Sequence, residues 1–429
     1  MKPEARLSAI IELLATFAET LEGQKKNPVD AMLAKYFRDN RYIGSHDRGE
    51  IAGTFYFVIR NYESLKWWAK QKSHHTSPRI LTLLAAIFYL RFSVDKVKEL
   101  CTGERFAPKY LSLLEQELLE FCVASELQHE KMTDEARYNM PSWLLKTLRK
   151  HYGDDAEALM MAMNVEASVD IRVNTLKATK AQLQKALAEQ GLRCVDGEYS
   201  KNGLRLNRRS GLFALDAFKN GWFEVQDEGS QLVADLVAAK HGERVVDFCA
   251  GAGGKTLAIA ANMGGKGRIL ALDVNEHRMK DLQKRLKRAG VQNTESRLLE
   301  GLNDAWLRRH KHAIDWVLVD APCTGSGTWR RNPDMKWRTK PEDLQEMIAL
   351  QSSILEAAVK LVKTGGKLVY ATCSILPEEN MQQVQRFLSA NPDFSLEPIL
   401  LKETSHDYMQ LLPHTNATDG FFAAILKKS

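Results

Sequence analysis

The chain has 429 residues and a mass of 48.5 kDa, which is too long for one ordinary hydrophobic core and predicts two or three domains of roughly 100–200 residues each. Hydrophobic residues make up 44% and charged residues 27%, which excludes a disordered chain, while a net charge of +6 allows a polyanionic partner without requiring one. The 6 cysteines include no CxxC pair, which excludes a disulfide scaffold and a cysteine-rich zinc module; we therefore expect no metal site and a reducing, cytoplasmic environment.

The first 140 residues are predicted to form a helical domain. The N-terminus is predicted to be an amphipathic helix rather than a signal peptide, because its apolar residues recur at helical spacing and glutamates lie between them. The same spacing recurs at residues 29–37, 51–68, 81–90 and 111–127. The most apolar run, residues 81–90, is too short for a membrane span of about 20 residues, so we expect a small helical bundle and no membrane contact.

A small α+β module is predicted from residue 141 to residue 220. Pro141 breaks the helical pattern, and short elements of both kinds follow it. The predicted helices are residues 142–152 and 180–190, and the predicted strands are residues 169–173, 193–195 and 204–206.

From residue 221 to residue 429, strands and helices are predicted to alternate. Short apolar runs occur at residues 245–248, 269–273, 316–320 and 367–370, and the clearest helix between them is residues 275–290. This alternation is typical of a doubly wound α/β sheet, in which ligands bind at the carboxyl ends of the strands near the switch in strand order.

The first motif, DFCAGAGGKT from Asp247 to Thr256, lies where a strand is predicted to turn into a helix. Its glycines would let a ligand approach the backbone, but three functions fit it. A P-loop matches at Lys255 and Thr256 but has Cys249 where its first glycine should stand. A dinucleotide fingerprint lacks its third glycine, and an S-adenosylmethionine (SAM) loop is the third candidate.

Asp273 is predicted to end the strand that follows this motif. An acidic side chain there can accept hydrogen bonds from ribose hydroxyls, which SAM and NAD share. The alternative is that Asp273 caps a helix.

Two cysteines each follow a predicted strand. Cys323 lies in the sequence VDAPC, three residues after Asp320, and Cys373 lies in the sequence ATCS. Turns of this kind leave a cysteine partly exposed among N–H dipoles, conditions that favour the thiolate.

A thiolate beside a methyl donor suits methylation of a pyrimidine at C5. Attack of a thiolate on C6 makes C5 nucleophilic, which divides one difficult step into easier ones. Asp320 is placed to hydrogen-bond the ring N3 and the exocyclic amine, and a second acid/base group must then remove the C5 proton.

The segment from Trp329 to Lys340 combines five basic residues with two tryptophans. It is predicted to contact phosphates and stack on the bases of an RNA strand, because it follows Cys323 closely. A base in a helical stem would have to be flipped out at a cost of about a few kcal/mol.

Together these motifs resemble the RNA cytosine-5 methyltransferases of the Fmu/Sun family, and in particular the members that act on bacterial small-subunit ribosomal RNA. The VDAPC and ATCS sequences are the specific part of the resemblance. Further likeness lies at IRVNT (residues 171–175), VQDEGS (residues 225–230) and TDGFF (residues 418–422), and the likeness at GSHDR (residues 44–48) is weaker. The resemblance implies a NusB-like RNA-binding domain at residues 1–140, a lead-in module at 141–220 and a class I, Rossmann-like SAM methyltransferase domain at 221–429.

The resemblance also implies roles for individual residues. Cys373 would be the nucleophile, Cys323 would help to release the product, Lys255 would reach the target pocket, and Asp320 would touch both the base and SAM. The residues implied to hold SAM are Cys249, Ala250, Gly251, Ala252, Gly253, Gly254, Lys255, Asp273 and Asp320, with Glu300 better placed than Asp304 as the acidic residue after the third strand.

The resulting prediction is a SAM-dependent cytosine-C5 methyltransferase acting on RNA, with 16S ribosomal RNA as the expected substrate. Two alternatives stay open. A P-loop NTPase would bind ATP with Mg²⁺ and no SAM, and a non-catalytic RNA-binding protein with a vestigial SAM fold would bind RNA without turnover.

Overall fold

The computed structural model describes residues 1–23, 28–207 and 211–429. These residues form two units, one made of Met1–Val165 with Trp329–Lys340 and the other of Glu166–Thr328 with Pro341–Ser429. The predicted boundary near residue 140 differs from this division, because the helices between residues 142 and 162 belong to the first unit. The segment Trp329–Lys340 also joins the first unit although it follows Cys323 in the chain.

The first unit is helical, as its apolar spacing predicts. The helices that precede residue 166 are α1 (Pro3–Glu22), α2 (Val29–Asp39), α3 (Ser45–Arg60), α4 (Tyr62–Gln71), α5 (Pro78–Phe88), α6 (Val94–Leu100), α7 (Leu113–Val123), α8 (Asp134–Tyr138), α9 (Ser142–Tyr152) and α10 (Ala156–Ala162). The periodic pattern predicted over residues 51–68 is divided between α3 and α4 at Asn61.

Helix α5 lies at the centre of this unit. Ser77 accepts a hydrogen bond from the Ile80 amide and Pro78 occupies the first turn, so the helix begins with a satisfied N-terminus. Its residues 80–88 are all buried, and the hydroxyl of Thr82 donates to the Pro78 carbonyl at 2.8 Å. The most apolar run of the sequence is therefore a core helix. Within the described ranges, no helix has the length and apolar character that a membrane span requires.

The second unit begins with a small antiparallel sheet. Its elements are β1 (Val169–Val173), α11 (Lys180–Glu189), β2 (Cys194–Asp196), β3 (Gly203–Leu206), α12 (Asp216–Lys219) and β4 (Phe223–Val225). The strands lie in the order β2-β3-β1-β4. The strands and the helix predicted between residues 169 and 206 are confirmed to within a few residues.

The rest of the second unit is built on an eight-stranded sheet. Its strands are β5 (Arg244–Asp247), β6 (Arg268–Asp273), β7 (Thr294–Leu298), β8 (Ile314–Asp320), β9 (Val362–Thr372), β10 (Phe394–Glu397), β13 (Met409–Leu411) and β14 (Phe421–Lys428), while β11 (Ile399–Leu401) and β12 (Thr404–His406) form a separate hairpin. The strand order is β10-β14-β9-β8-β5-β6-β7, with β13 paired to β14.

Helices follow or connect these strands. They are α13 (Glu228–Asp235), α14 (Gly254–Asn262), α15 (Glu276–Ala289), α16 (Ala305–Arg309), α17 (Met335–Arg338, in the segment that joins the first unit), α18 (Pro341–Ala358), α19 (Met381–Ala390) and α20 (Pro413–Asn416). Short 3₁₀ helices occupy Gly153–Asp155, Leu212–Ala214, Ser326–Thr328 and Val359–Leu361. Helix α15 confirms the prediction for residues 275–290, with Asn275 as its N-cap and Gly290 in the left-handed region at its end.

The topology brings the chemistry-bearing residues to one edge of the sheet. Strands β5 to β9 are parallel to their neighbours, and β14 pairs antiparallel with β9. The strand order reverses between β5 and β8, and both of these strands end in an aspartate at the same edge. This is the doubly wound sheet that the sequence predicts, and its switch point is where a ligand is expected.

Candidate active site

A cavity of about 800 Å³ opens at the carboxyl ends of β5, β6, β8 and β9. Its wall contains most of the residues that the sequence singled out. The predicted site residues that line it are Cys249, Ala250, Gly251, Ala252, Gly254, Lys255, Asp273, Asp320, Cys323 and Cys373. Gly253 and Glu300 are not among the described residues that line the cavity.

The glycine loop after β5 is held in its bend by Asp273. The Gly251 amide donates to Asp273 Oδ2 at 2.8 Å, and the Asn275 amide donates to Oδ1 at 2.8 Å. Gly253 has a φ of +83°, and a Cβ there would lie 2.1 Å from the Leu282 Cδ1 atom. Gly253 therefore serves the packing of the loop against α15 rather than the cavity surface. Asp273 lines the cavity and accepts from two loop amides, but it does not cap a helix, because the N-cap of α15 is Asn275.

The residues that matched a P-loop are engaged in other contacts. The Thr256 hydroxyl is fully buried and donates to Asp247 Oδ2 at 2.7 Å, while the Lys255 ammonium lies 2.7 Å from Asp320 Oδ2. In a P-loop the lysine reaches the phosphates and the hydroxyl binds Mg²⁺. With Cys249 in place of the first glycine, this arrangement does not favour an NTPase.

Lys255 and Asp320 form an ion pair at the cavity wall. Burial opposes the charged ammonium, but the Asp320 carboxylate and its hydrogen bond outweigh it and raise the pKa of Lys255 above its ordinary value. The ammonium also lies 5.5 Å from the centre of the Phe421 ring. Lys255 is thus held as a cation beside an anionic oxygen, in a place where both can meet a polar ligand.

Asp247 is a cavity residue that the sequence analysis did not assign to the site. Its side chain is buried, and desolvation raises the pKa of its carboxyl to about 7, although the hydrogen bond from Thr256 acts to lower that pKa. Its Oδ1 atom has no hydrogen-bond partner among the described residues. A signal was available, because an acidic residue at the end of the first strand of a doubly wound sheet faces the ligand crevice.

The two predicted cysteines meet at the end of the cavity. Cys323 follows β8, Cys373 follows β9, and their Sγ atoms are 3.5 Å apart. The thiol–thiol hydrogen bond with Cys373 and burial raise the pKa of Cys323 well above its ordinary value. The expectation that its turn favours the thiolate is therefore wrong for Cys323, because the half-buried side chain lies beside another sulfur and is partly desolvated.

The small α+β module contributes to the same cavity. Val225, the last residue of β4, and Gln226 after it line the wall. The Arg172 guanidinium donates to Gln226 Oε1 at 2.6 Å and to the Gly254 carbonyl at 3.0 Å, so β1 supports the glycine loop directly. Arg172 and Gln226 lie in stretches that the sequence marked only through a family resemblance.

Neither candidate for the acidic residue after the third strand, Glu300 or Asp304, is among the described residues that line the cavity. Glu300 is exposed, and its amide donates to Asp304 Oδ2 at 3.1 Å. Asp304 is buried and caps α16 by accepting from the Trp306 amide at 2.7 Å. Gly301, next to Glu300, lines the cavity instead.

The prediction that the segment Trp329–Lys340 presents a basic and aromatic surface to RNA is wrong for most of its residues. Trp329 is 1% exposed and Lys336 is 2% exposed. The Trp337 indole donates to the Ile59 carbonyl at 2.8 Å, and the Lys336 ammonium donates to the Arg60 carbonyl at 3.1 Å. These carbonyls belong to the last turn of α3, where no intrahelical donor is available.

The buried basic residues of this segment are retained in the first unit by hydrogen bonds. Lys336 also donates to Asn164 Oδ1 at 2.6 Å, and burial together with nearby Arg60 lowers its pKa well below the ordinary value. Arg338 is buried and lies 3.4 Å from Asp334. Only Arg331 and Lys340 among the basic residues of the segment keep a partly or fully exposed side chain.

Comparisons with known proteins agree on one family. The family model described as 16S rRNA methyltransferase RsmB/F matches residues 234–427, and a second family model, described as the RsmF/B-like ferredoxin-like domain, matches residues 140–212. The chain is similar to the ribosomal RNA small subunit methyltransferase B of Pectobacterium atrosepticum, with 31% identity over 97% of this chain and 99% of that one.

Two further proteins show the same likeness. The ribosomal RNA small subunit methyltransferase B of Citrobacter koseri is 37% identical over 75% of this chain and 74% of its own. The crystal structure of PH0851 is 29% identical and superposes with a TM-score of 0.80, covering 100% of this chain and 99% of that chain.

Proposed function

The chain belongs to the RsmB/F family of 16S ribosomal RNA methyltransferases, and from this membership we propose that it transfers a methyl group from SAM to C5 of a cytosine in 16S ribosomal RNA. Members of the family are SAM-dependent, and the fold is that of a class I SAM methyltransferase. The proposal includes two finer points: methylation at C5 of the base, and a covalent bond between Cys373 and the base during the reaction.

The cavity fits SAM by its chemistry. The glycine loop leaves the backbone open to a ligand, and Asp273 lies at the end of β6, where ribose hydroxyls are accepted in folds of this class. Asp247 Oδ1 is buried without a partner among the described residues, and a buried polar atom of this kind gains most from a donor on a ligand. SAM supplies an electrophilic methyl group at this place.

The chain's own residues can carry out the rest of the reaction. The Cys373 thiolate attacks C6 of the cytosine, and the electron pair of the C5–C6 double bond becomes available at C5 to take the methyl group. Asp320, 2.7 Å from the Lys255 ammonium, accepts a hydrogen bond from the exocyclic amine, and the Lys255 ammonium stabilises the negative charge that develops on the ring as the thiolate adds.

Product release needs a base for the C5 proton, and we assign this step to Cys323. In the resting protein the largest cause of its high pKa is the hydrogen bond with Cys373. Once Cys373 is bonded to C6 that hydrogen bond is lost, and Cys323 gives its own proton to solvent to become the thiolate. The Cys323 thiolate then takes the C5 proton, the C5–C6 double bond re-forms, and the C6–S bond breaks with its electron pair returning to Cys373.

The observation that carries this assignment is the 3.5 Å separation of the two sulfurs at the wall of a cavity that also holds the Lys255–Asp320 pair. One nucleophile and one base within reach of the same ring are what addition and elimination require. An intact pair of this kind also disfavours a vestigial, non-catalytic protein.

The test is incubation with labelled SAM and unmodified 16S ribosomal RNA. We expect Cys373→Ala to give no product, because the nucleophile is absent, and Cys323→Ala to accumulate an RNA–protein adduct that survives denaturation, because the C5 proton is not removed. Cys194→Ala, which changes a half-buried cysteine far along the chain in the small module, is the control and should match the wild type. Normal methylation by Cys373→Ala would overturn the mechanism.

We also propose, from the resemblance alone, that the helical unit is a NusB-like domain that binds RNA, and that the domains divide near residues 140 and 220. A cytoplasmic location follows if the substrate is ribosomal RNA. An electrophoretic shift of 16S ribosomal RNA by wild-type protein, compared with a double variant of the exposed residues Arg41 and Tyr42, tests the role of the helices.

A further inference from the structure

Glu379 is a buried carboxylate that the proposed reaction does not use. It is 0% exposed, and burial raises its pKa above the ordinary value, although several hydrogen bonds act to lower that pKa. Oε1 accepts from the Thr324 amide at 2.8 Å, and Oε2 accepts from the Thr324 hydroxyl at 2.6 Å. A buried carboxylate is costly to keep, so its partners indicate what it does.

The partners of Glu379 belong to the two loops that carry the cysteines. Thr324 directly follows Cys323, and Glu379 lies in the loop that begins at Cys373. Gln351 of α18 donates both to Glu379 Oε1 and to the Pro322 carbonyl, each at 3.0 Å. The residues on both sides of Cys323 are therefore bound, directly or through Gln351, to one carboxylate.

The two cysteines depend on this carboxylate to different degrees. Cys373 directly follows β9, which is paired on both sides, and its carbonyl accepts from the Gly327 amide at 2.9 Å. Cys323 lies beyond the end of β8, and Pro322 before it has no amide hydrogen to donate. Loss of the carboxylate should therefore displace Cys323 more than it displaces Cys373.

We propose that Glu379 is a positioning residue that holds the Cys323 loop against the Cys373 loop, so that Cys323 is in place to remove the C5 proton. This inference rests on the proposed function and deepens it. Glu379→Gln keeps the shape but replaces one acceptor by an NH₂ group, which faces a donor of Thr324 or Gln351. A displacement of about 1 Å at a reacting group slows a step by on the order of 100-fold.

The experiment separates the two halves of the reaction with one RNA. Methyl transfer is followed by incorporation of the label from SAM, and proton removal by release of tritium from C5 of cytosine in the same RNA. We expect Glu379→Gln to incorporate about one methyl group per enzyme at the wild-type rate, to release tritium at least 10-fold more slowly, and to accumulate an adduct. Adding Cys373→Ala to this variant should abolish the adduct.

Three further measurements distinguish a positioning role of Glu379 from a general effect of the substitution on folding. Glu356→Gln, on the exposed face of α18, is the matched control and should behave as the wild type. SAM binding by Glu379→Gln should be unchanged. If that variant does not fold, Thr324→Val, which removes only the hydroxyl donor, should slow tritium release in the same way, and Thr324→Ser should restore it toward the wild-type rate.

Each contrary outcome has a definite meaning. Tritium release by Glu379→Gln at the wild-type rate would overturn the positioning role and leave the proposed function intact. Loss of both methyl incorporation and adduct, with SAM binding intact, would place Glu379 in the attack step and overturn the present assignment. A wild-type enzyme that releases no tritium would overturn both proposals.

Discussion

At the scale of single residues, the site is organised by pairs of groups that change each other's protonation. Lys255 is kept charged by Asp320, and Cys323 is kept protonated by Cys373 and by burial. The second pair gives a reason for an order of events. In the proposed mechanism, Cys323 becomes a base only after Cys373 has been used as a nucleophile, so the resting enzyme would not hold two adjacent thiolates.

Asp247 gives a prediction about stability. Its pKa is about 7 in the folded chain, against 3.8 for an aspartate exposed to water. Between these values the folded state binds more protons than the unfolded state, so the free energy of unfolding falls as the pH rises, and the loss is complete above the folded pKa. Asp247→Asn removes this dependence and retains an acceptor for Thr256. As the pH rises between these two pKa values, the free energy of unfolding of Asp247→Asn should increase relative to that of the wild type by at most about 1.4 kcal/mol per pH unit.

Urea unfolding of both proteins at several pH values between 5 and 8 measures this difference. Asp407→Asn, at an exposed aspartate, is the control and should follow the wild-type curve. Parallel curves for Asp247→Asn and the wild type would contradict the shifted titration.

Much of the candidate site could be predicted from the sequence. Cys323, Cys373 and Asp320 were predicted because residues at or just after the ends of parallel strands meet at one sheet edge, whereas Lys255 was assigned through the family resemblance. Glu379 was not predicted, since it lies in a loop whose path depends on contacts with Thr324 and Gln351 that are distant in sequence.

At the scale of elements, the strands that could be predicted are the buried ones. Strands β5, β6, β8 and β9 form continuous apolar runs because helices cover both faces of a parallel sheet. Strand β7 was not predicted, because it is a sheet edge and its sequence TESRL is mostly polar and has no buried residue. The segment Trp329–Lys340 was misinterpreted for the opposite reason. Its composition is that of an exposed surface, and only tertiary contacts show that it caps a helix end.

The capping role of this segment can be tested at Trp337. Trp337→Phe keeps most of the contact with Tyr62, whose ring centre lies 5.6 Å away, but leaves the Ile59 carbonyl without the indole donor. We expect the free energy of unfolding to fall by about 1–3 kcal/mol, while the affinity of the folded protein for RNA stays at the wild-type value. Trp143→Phe, at a half-buried tryptophan of α9 in the same unit, is the control.

Denaturation curves and filter binding of 16S ribosomal RNA measure the two quantities. A large loss of RNA affinity by Trp337→Phe without loss of stability would restore the stacking role that the sequence suggested.

At the scale of the whole molecule, the chain passes between its two units at residues 165/166, 328/329 and 340/341. All the residues that line the proposed SAM cavity belong to the second unit. The segment Trp329–Lys340, although it connects two parts of the second unit, is buried in the first. Binding of SAM and solubility of the second unit should therefore depend on different parts of the chain.

Removal of residues 1–165 separates these two properties. The truncated chain keeps the whole cavity wall but exposes Trp337, which loses the helices that cover it, so we expect it to aggregate. Replacing residues 329–340 of the truncated chain by a Gly/Ser linker of equal length removes that apolar surface. This second version should be monomeric in size-exclusion chromatography and should bind SAM within about 3-fold of the full-length affinity, a difference of less than about 1 kcal/mol. A loss of SAM affinity of 10-fold or more in the linker version would mean that the helical unit supports the cavity. If the truncated chain with its native segment stays soluble, exposure of residues 329–340 does not cause aggregation.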